Sequence, residues 1–194
     1  MTAAMTASVE RTSVVEPHLR ILHTVAQAVS GSLDVDEVLR TALDALTHVT
    51  GHEMSSLHLL SEDGQQLHLQ GERLLSPMLR DVNVLLPVGK GQLGGVAKTG
   101  ESYYINQDVE GGAVTLDKPL AAVPLKIKEH VIGLIVIYKL LQQKDSFSAV
   151  DYELFSLLAA HAATAIFSSK LYSQSERKLN TIQSFLDLLT TTSS

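Results

Sequence analysis

Apolar and polar positions divide this chain into helical and extended stretches. Val15, Leu19, Leu22, Ala26 and Val29 recur at spacings of four and three, the signature of one apolar stripe on a helix. Pro17 suits the first turn of that helix, and Gly31 its end. Asp34, with Glu37 three residues on, is a capping-box-like start for a second helix. Val35, Val38, Leu39, Ala42, Leu43, Leu46 and Val49 form its buried face, and Gly51 is its C-terminal stop.

The period then changes to two. Met54, Ser56, His58 and Leu60 alternate with Ser55, Leu57, Leu59 and Ser61, and Asp63-Gly64 is a hairpin-turn signal. The second arm runs to about Glu72. Leu74 to Asn83 reads as a looser stretch. Leu85 to Val88 is a short strand, Gly91 to Lys98 a short helix stopped by Gly100, and Tyr103 to Ile105 another short strand. Gln107 to Lys118 has no apolar period and reads as a loop. Leu120 to Ile127 and Val131 to Leu140 are the two most β-branched segments, joined by Lys128-Glu129-His130. Ser148 with Asp151 opens a last helix that extends to about Leu189, far longer than an average globular helix. Hairpin-connected strands imply an antiparallel sheet with helices covering its apolar faces. The expected fold class is α/β of the α+β type: a central antiparallel sheet of about six strands, helices packed on it, the N- and C-terminal helices forming a bundle.

Composition narrows the chemistry. The 194 residues contain 45% hydrophobic and 19% charged positions, an ordinary soluble balance, and are enough to bury a core without staples. There is no cysteine. That removes disulfides, thiolate metal sites, thiol nucleophiles and thioether-linked chromophores. The net charge of −6 and scattered Lys and Arg give no cationic strip for nucleic acid. The N-terminus lacks the basic-then-apolar order of a signal peptide, and the longest candidate apolar run, Val131 to Leu141, is too short and too interrupted to span a bilayer. A cytoplasmic location is expected. The eight histidines show no metal-binding spacing; His48 and His52 are four apart, but Gly51 breaks the helix between them. No nucleophile elbow and no paired carboxylates stand out, so no catalytic and no metal residues are assigned. The glycines Gly89, Gly91, Gly94 and Gly95 do not match the phosphate-cradling spacing.

Four segments together resemble the GAF domain family. They are Ser32-Leu33-Asp34 through Leu46; Leu86-Pro87-Val88-Gly89-Lys90-Gly91-Gln92-Leu93-Gly94-Gly95-Val96-Ala97; Ala122-Val123-Pro124-Leu125 followed by Val131-Ile132-Gly133-Leu134-Ile135-Val136; and Phe147-Ser148-Ala149-Val150-Asp151 followed by Glu153-Leu154. The resemblance implies a lead-in over residues 1–14, the domain over 15–170 and a signalling extension over 171–194. It also implies a small-molecule pocket over the sheet, roofed by the Gly-rich turn, for which Ser56, His58, Gln92, Val96, Tyr104, Ala121 and Val123 are the candidate residues. A covalently bound bilin and the family's thiol reductase chemistry both need the missing cysteine. The cyclic-nucleotide pattern is incomplete: Tyr138-Lys139, Phe147 and Asp151-Tyr152 occupy its places, without its Asn and adjacent Glu. For His58 the reading preferred to haem ligation is a surface or partly buried side chain satisfied by a backbone carbonyl. No covalent cofactor is expected, and a ligand, if bound, is an unidentified small molecule.

The last helix carries a heptad pattern. Leu158, Ala165, Tyr172, Leu179 and Leu186 are spaced by seven, with Leu154, His161, Ser168, Ser175, Ile182 and Leu189 as the companion seam, as in a coiled coil. The first half of the helix is expected both to cover the sheet and to pair, the part beyond Tyr172 only to pair, and His161, Ser168 and Ser175 weaken the seam; Leu158, Ala165, Tyr172, Leu179, Ile182 and Leu186 are the candidate dimer residues. The expected function is a dimeric sensory module that passes ligand or partner binding through its terminal helices to a downstream signalling domain, such as a histidine kinase of a two-component system. Catalysis would lie in that output domain. The competing expectation is an interaction scaffold with a non-binding pocket.

Overall fold

The computed structural model describes residues 34–50, 52–105, 119–140, 147 and 149–191. The expected lead-in, the helix over Val15 to Val29 and the loop Gln107 to Lys118 lie outside these residues. Helix α1 spans Val35–Thr50, and Asp34 caps it by accepting the Asp36 N–H at 2.9 Å. Strands β1 (His52–Leu60) and β2 (Gln66–Arg73) form the first hairpin. Helix α2 (Pro77–Asn83), β3 (Leu85–Pro87), α3 (Gly91–Thr99) and β4 (Tyr103–Tyr104) follow. The central hairpin is β5 (Ala121–Ile127) and β6 (His130–Leu140), and α4 runs from Ala149 to Thr191.

Helix α2 falls within the stretch read as loose. Its start is nonetheless written in the sequence. Pro77 occupies the first turn, and the Ser76 hydroxyl accepts the Leu79 N–H at 3.3 Å. At seven residues it is too short to show an apolar period.

All strand pairs are antiparallel, in the order β3-β2-β1-β6-β5-β4. The pair β1–β6 lies at the centre, with Leu57 opposite Ile135 and His58 opposite Leu134. Gly133 makes this pairing possible, because a Cβ there would sit 2.3 Å from the His58 carbonyl oxygen. The β5–β6 turn is tighter than expected. Ile127 pairs with His130, leaving Lys128 and Glu129 as the turn, with Lys128 at φ 55°.

Two apolar layers cover the sheet. On one face, Leu57, Leu59, Ala121, Val123, Leu125, Ile135 and Ile137 pack under α1 and the first half of α4. On the other, Met54, Leu67, Ala122, Leu134, Val136 and Tyr138 pack under α2 and α3. Each fully buried large side chain contributes roughly 1.5–3 kcal/mol, so both layers are needed to hold a sheet whose outer strands are only two or three residues long.

Helix α4 has two different halves. Leu154, Phe155, Leu158, Ala159, Ala162, Ala163, Ile166 and Ser169 are buried, a stripe of threes and fours that lies on the sheet and α1. Past Ser173, which is half-buried, the described side chains of α4 are all exposed. The expected heptad seam therefore splits. Leu158 is spent on its own chain's core, and Ala165 packs partly against the same cluster; neither is free for a second helix as expected. Tyr172, Leu179, Ile182 and Leu186 stand exposed. The stretch Asp151–Leu186 is also long and apolar enough, by length and composition alone, to cross a membrane. In the sequence, Leu154 to Ser169 runs for 16 residues without Asp, Glu, Lys or Arg, a longer uncharged stretch than the Val131 to Leu141 run expected to be the longest candidate. Much of that apolar character covers the sheet.

Candidate functional site

The face under α2 and α3 carries the polar side chains that the core layer cannot explain by packing alone. Ser56 and His58 leave β1 on the same side, and both are fully buried. Tyr138 projects beside them from β6, and Asn83 closes the site from the end of α2. His58 Nε2 lies 3.1 Å from the Asn83 carbonyl oxygen. A carbonyl only accepts, so Nε2 carries the hydrogen and Nδ1 is bare. Nδ1 is 3.4 Å from Ser56 Oγ, and Ser56 Oγ is 3.5 Å from the Tyr138 hydroxyl. Either hydroxyl can turn to donate within that last pair. Asn83 is itself pinned, donating from Nδ2 to the Leu79 carbonyl at 2.7 Å.

This chain of contacts is uncharged. Burial drives the His58 pKa down to about 4, against a smaller upward pull from its bond to the Asn83 carbonyl. Burial likewise pushes the Tyr138 hydroxyl up to about 12, partly offset by Ser56. At neutral pH the site offers a neutral imidazole and two hydroxyls inside apolar walls. Its hydrogen bonds tie the end of α2 to the sheet. The expected role of His58 holds in one respect: a backbone carbonyl satisfies it. It is fully buried, however, not at the surface or partly buried.

The seven candidate pocket residues do not share one site. Ser56, His58 and Val96 reach the α2–α3 side. Gln92 is exposed in the first turn of α3. Ala121 and Val123 point to the opposite face, under α1 and α4. Tyr104 also turns that way, with its ring centroid 4.4 Å from Tyr152 and within 6.3 Å of Phe147 and Phe155. The corrected neighbours on β5 and β4 are Ala122 and Tyr103, one residue along each strand. A slip of one residue moves every side chain of a strand through the sheet. Tyr138 and Asn83 escaped the sequence reading. A lone Tyr inside an apolar strand, two residues after Val136 on the pocket side, was the available signal for Tyr138. Asn83 could be placed only once α2 was recognised.

The roof is shaped by close backbone contact. A Cβ on Gly94 would come within 2.3 Å of the Pro87 carbonyl oxygen, so α3 can lie against β3 only with glycine there. Gly89 and Gly91 adopt φ of 80° and 64°. Among the described residues, no group of three or more His, Asp or Glu is arranged to hold a metal ion.

Known structures share the fold. The GAF domain of an Acinetobacter phosphoenolpyruvate-protein phosphotransferase superposes with a TM-score of 0.65 at 19% identity, over 81% of this chain and 97% of that one. A methyl-accepting chemotaxis protein fragment gives 0.57 at 21% identity, over 76% and 98%. The free methionine-R-sulfoxide reductase of Neisseria meningitidis, solved with its substrate, gives 0.61 at 17% identity, over 80% and 91%. At these identities the likeness is one of fold. No curated protein matches the sequence. The family model of the GAF domain matches residues 32–166. That match takes in the sheet, the α2–α3 roof and the sheet-covering half of α4, and the chain belongs to the GAF domain family, a sensory and regulatory fold of signalling proteins.

Proposed function

We propose that this chain is a non-catalytic sensory module that signals as a dimer through α4. The observation that carries the reading is the apolar stripe along the free half of that helix, from which, among the described apolar side chains, exposed Leu188 alone falls well away. At 100° per residue, Leu171, Leu179, Ile182, Phe185 and Leu186 fall on one side. Glu176, Arg177, Asn180, Gln183 and Ser184 fall on the other. Ile182 is 56% and Phe185 63% exposed, so a single chain leaves this stripe in water. A second copy running parallel would cover it. Ser175 and Lys178 interrupt the stripe, which makes the pairing weak enough to shift. The occupant of the Ser56–His58–Tyr138 site would bias that pairing through α4's contact with the sheet, and a downstream domain or partner protein would read it. A cytoplasmic location fits this role.

The absence of native cysteine allows a clean test. In a parallel, in-register pair, Ile182→Cys places two thiols across the seam, while Asn180→Cys places them on outer faces. Oxidation is expected to cross-link I182C and not N180C. Equal cross-linking of the two, or none at either, would refute the pairing.

One observation favours a second reading. The α2–α3 side is filled by the chain's own buried residues, while Leu74, Met78, Val82, Val84 and Leu85 form an exposed apolar patch around α2. In this reading the domain is a scaffold whose α2 surface docks a protein. Native mass spectrometry separates the two: a small molecule retained by the purified chain supports sensing, and its absence together with capture of a partner through α2 supports the scaffold.

A further inference from the structure

A groove lies at the end of the sheet, and none of Ser56, His58, Asn83 and Tyr138 lines it. It forms where α4 leaves the sheet. Leu60 at the end of β1, Val131 and Ile132 at the start of β6, and Phe167 of α4 make an apolar floor beneath a groove of about 270 Å³. Lys170, Gln174 and Arg177 line the helix side. With Phe167 they follow the spacing i, i+3, i+7, i+10, so one flank of α4 turns toward the groove. Glu62 stands on the opposite lip.

The charge on this flank is not neutralised within the described residues. The ion pairs found there join Arg73 to Asp44 and Arg80 to Glu72, and neither Lys170 nor Arg177 takes part. The Arg177 side chain spends only Nε, which donates to the Ser173 carbonyl at 3.3 Å. The rest of its guanidinium fork remains available. Long cationic side chains lay their stems on apolar surface and keep their heads at the rim. Two such heads, two helical turns apart, above a floor of Leu, Val, Ile and Phe, match a guest with an apolar body and one anionic end. Glu62 reduces the net charge of the lips to about +1 by simple count, which suits a monoanion better than a phosphate dianion.

We infer that this groove binds a small amphiphilic carboxylate, an alkyl or aryl acid, at the root of α4. The site is independent of whether α4 pairs with a second copy. Its consequence for signalling rests on that pairing, because a guest wedged between the sheet end and residues 167–177 holds the helix where it departs from the domain.

The test follows backbone amide shifts of the full-length protein during titration with sodium octanoate, with 1-octanol as the neutral probe. Shifts are expected at Glu62, Val131, Ile132 and Gln174. The exposed double variant Lys170→Gln/Arg177→Gln is expected to bind octanoate about tenfold more weakly, the scale of losing hydrogen bonds to a charged group. Octanol is expected to bind the wild type as weakly as octanoate binds the variant. Shifts centred on His58 and Asn83, equal binding of the two probes, or an unchanged variant would overturn the assignment. Because the readout is ligand binding and not subunit mass, its failure leaves the dimer reading standing.

Discussion

His58 shows how much of this protein's behaviour is set by single residues. Its imidazole is buried with the Asn83 carbonyl on one nitrogen and Ser56 on the other. Its folded pKa of about 4 lies below the ordinary value of 6.5. A depressed pKa means that the unfolded chain takes up the proton first. Stability is therefore full above about pH 6.5 and declines as pH falls toward 4, by at most about 1.4 kcal/mol per pH unit for this one proton. Denaturant unfolding across that window is expected to show the decline, and the His58 ring resonances are expected to stay in the neutral form at pH 6. The glycines make a second residue-scale prediction. Gly133→Ala forces a Cβ onto the His58 carbonyl and the Leu59 side chain, whereas a methyl added at Gly95 would meet no neighbouring atom within 4 Å. G133A is expected to lose about 1–3 kcal/mol or more, and G95A, inside a helix, to gain up to about 1 kcal/mol. Urea midpoints of the two variants check this. In the sequence Gly133 is a lone glycine inside a β-branched run, a sign of close backbone approach. The clash partners carry no such sign, because β1 and β6 meet only through the fold.

Elements differ in how far their sequence disclosed them. The long periodic ones, α1, β1, β5, β6 and α4, were legible because each repeats its signal several times. Helix α2 was not, since seven residues give its apolar side only Leu79 and Asn83 to bury. The pocket set was half legible for a related reason. Alternation told which residues of one strand share a side, but not which parity of β4 and β5 matches that of β1; that depends on pairings such as Tyr103 with Ala122. Helix α4 was legible as two environments under one heptad pattern, but Leu158 and Ala165 were given to both and belong to the core. Its halves are predicted to respond differently to the same change. Phe155→Ala removes a ring buried against the sheet and is expected to cost about 3–5 kcal/mol. Phe185→Ala, read at protein concentrations too low for pairing, is expected to stay within about 0.5 kcal/mol of the parent, as surface changes do. Thermal unfolding followed by tyrosine fluorescence distinguishes them.

At the scale of the molecule, the fold class and, α2 apart, the order of elements from residue 34 onward were readable, because hairpin turns, strand runs and helix caps all pointed to the same architecture. The buried polar site was less so. It depends on Ser56, His58, Tyr138 and Asn83 converging from three separate elements, with no motif joining them. The shape of the whole suggests a division of labour. Two covered faces make the domain, and a helix of 43 residues extends past it with an apolar stripe that nothing among the described residues of its own chain covers. The central claim is that a second copy covers it. Sedimentation velocity on the full chain and on Ile182→Asp tests this directly. The account predicts twice the chain mass for the parent and a single chain mass for I182D at the same concentration. A monomeric parent, or a variant that sediments as the parent does, would contradict it.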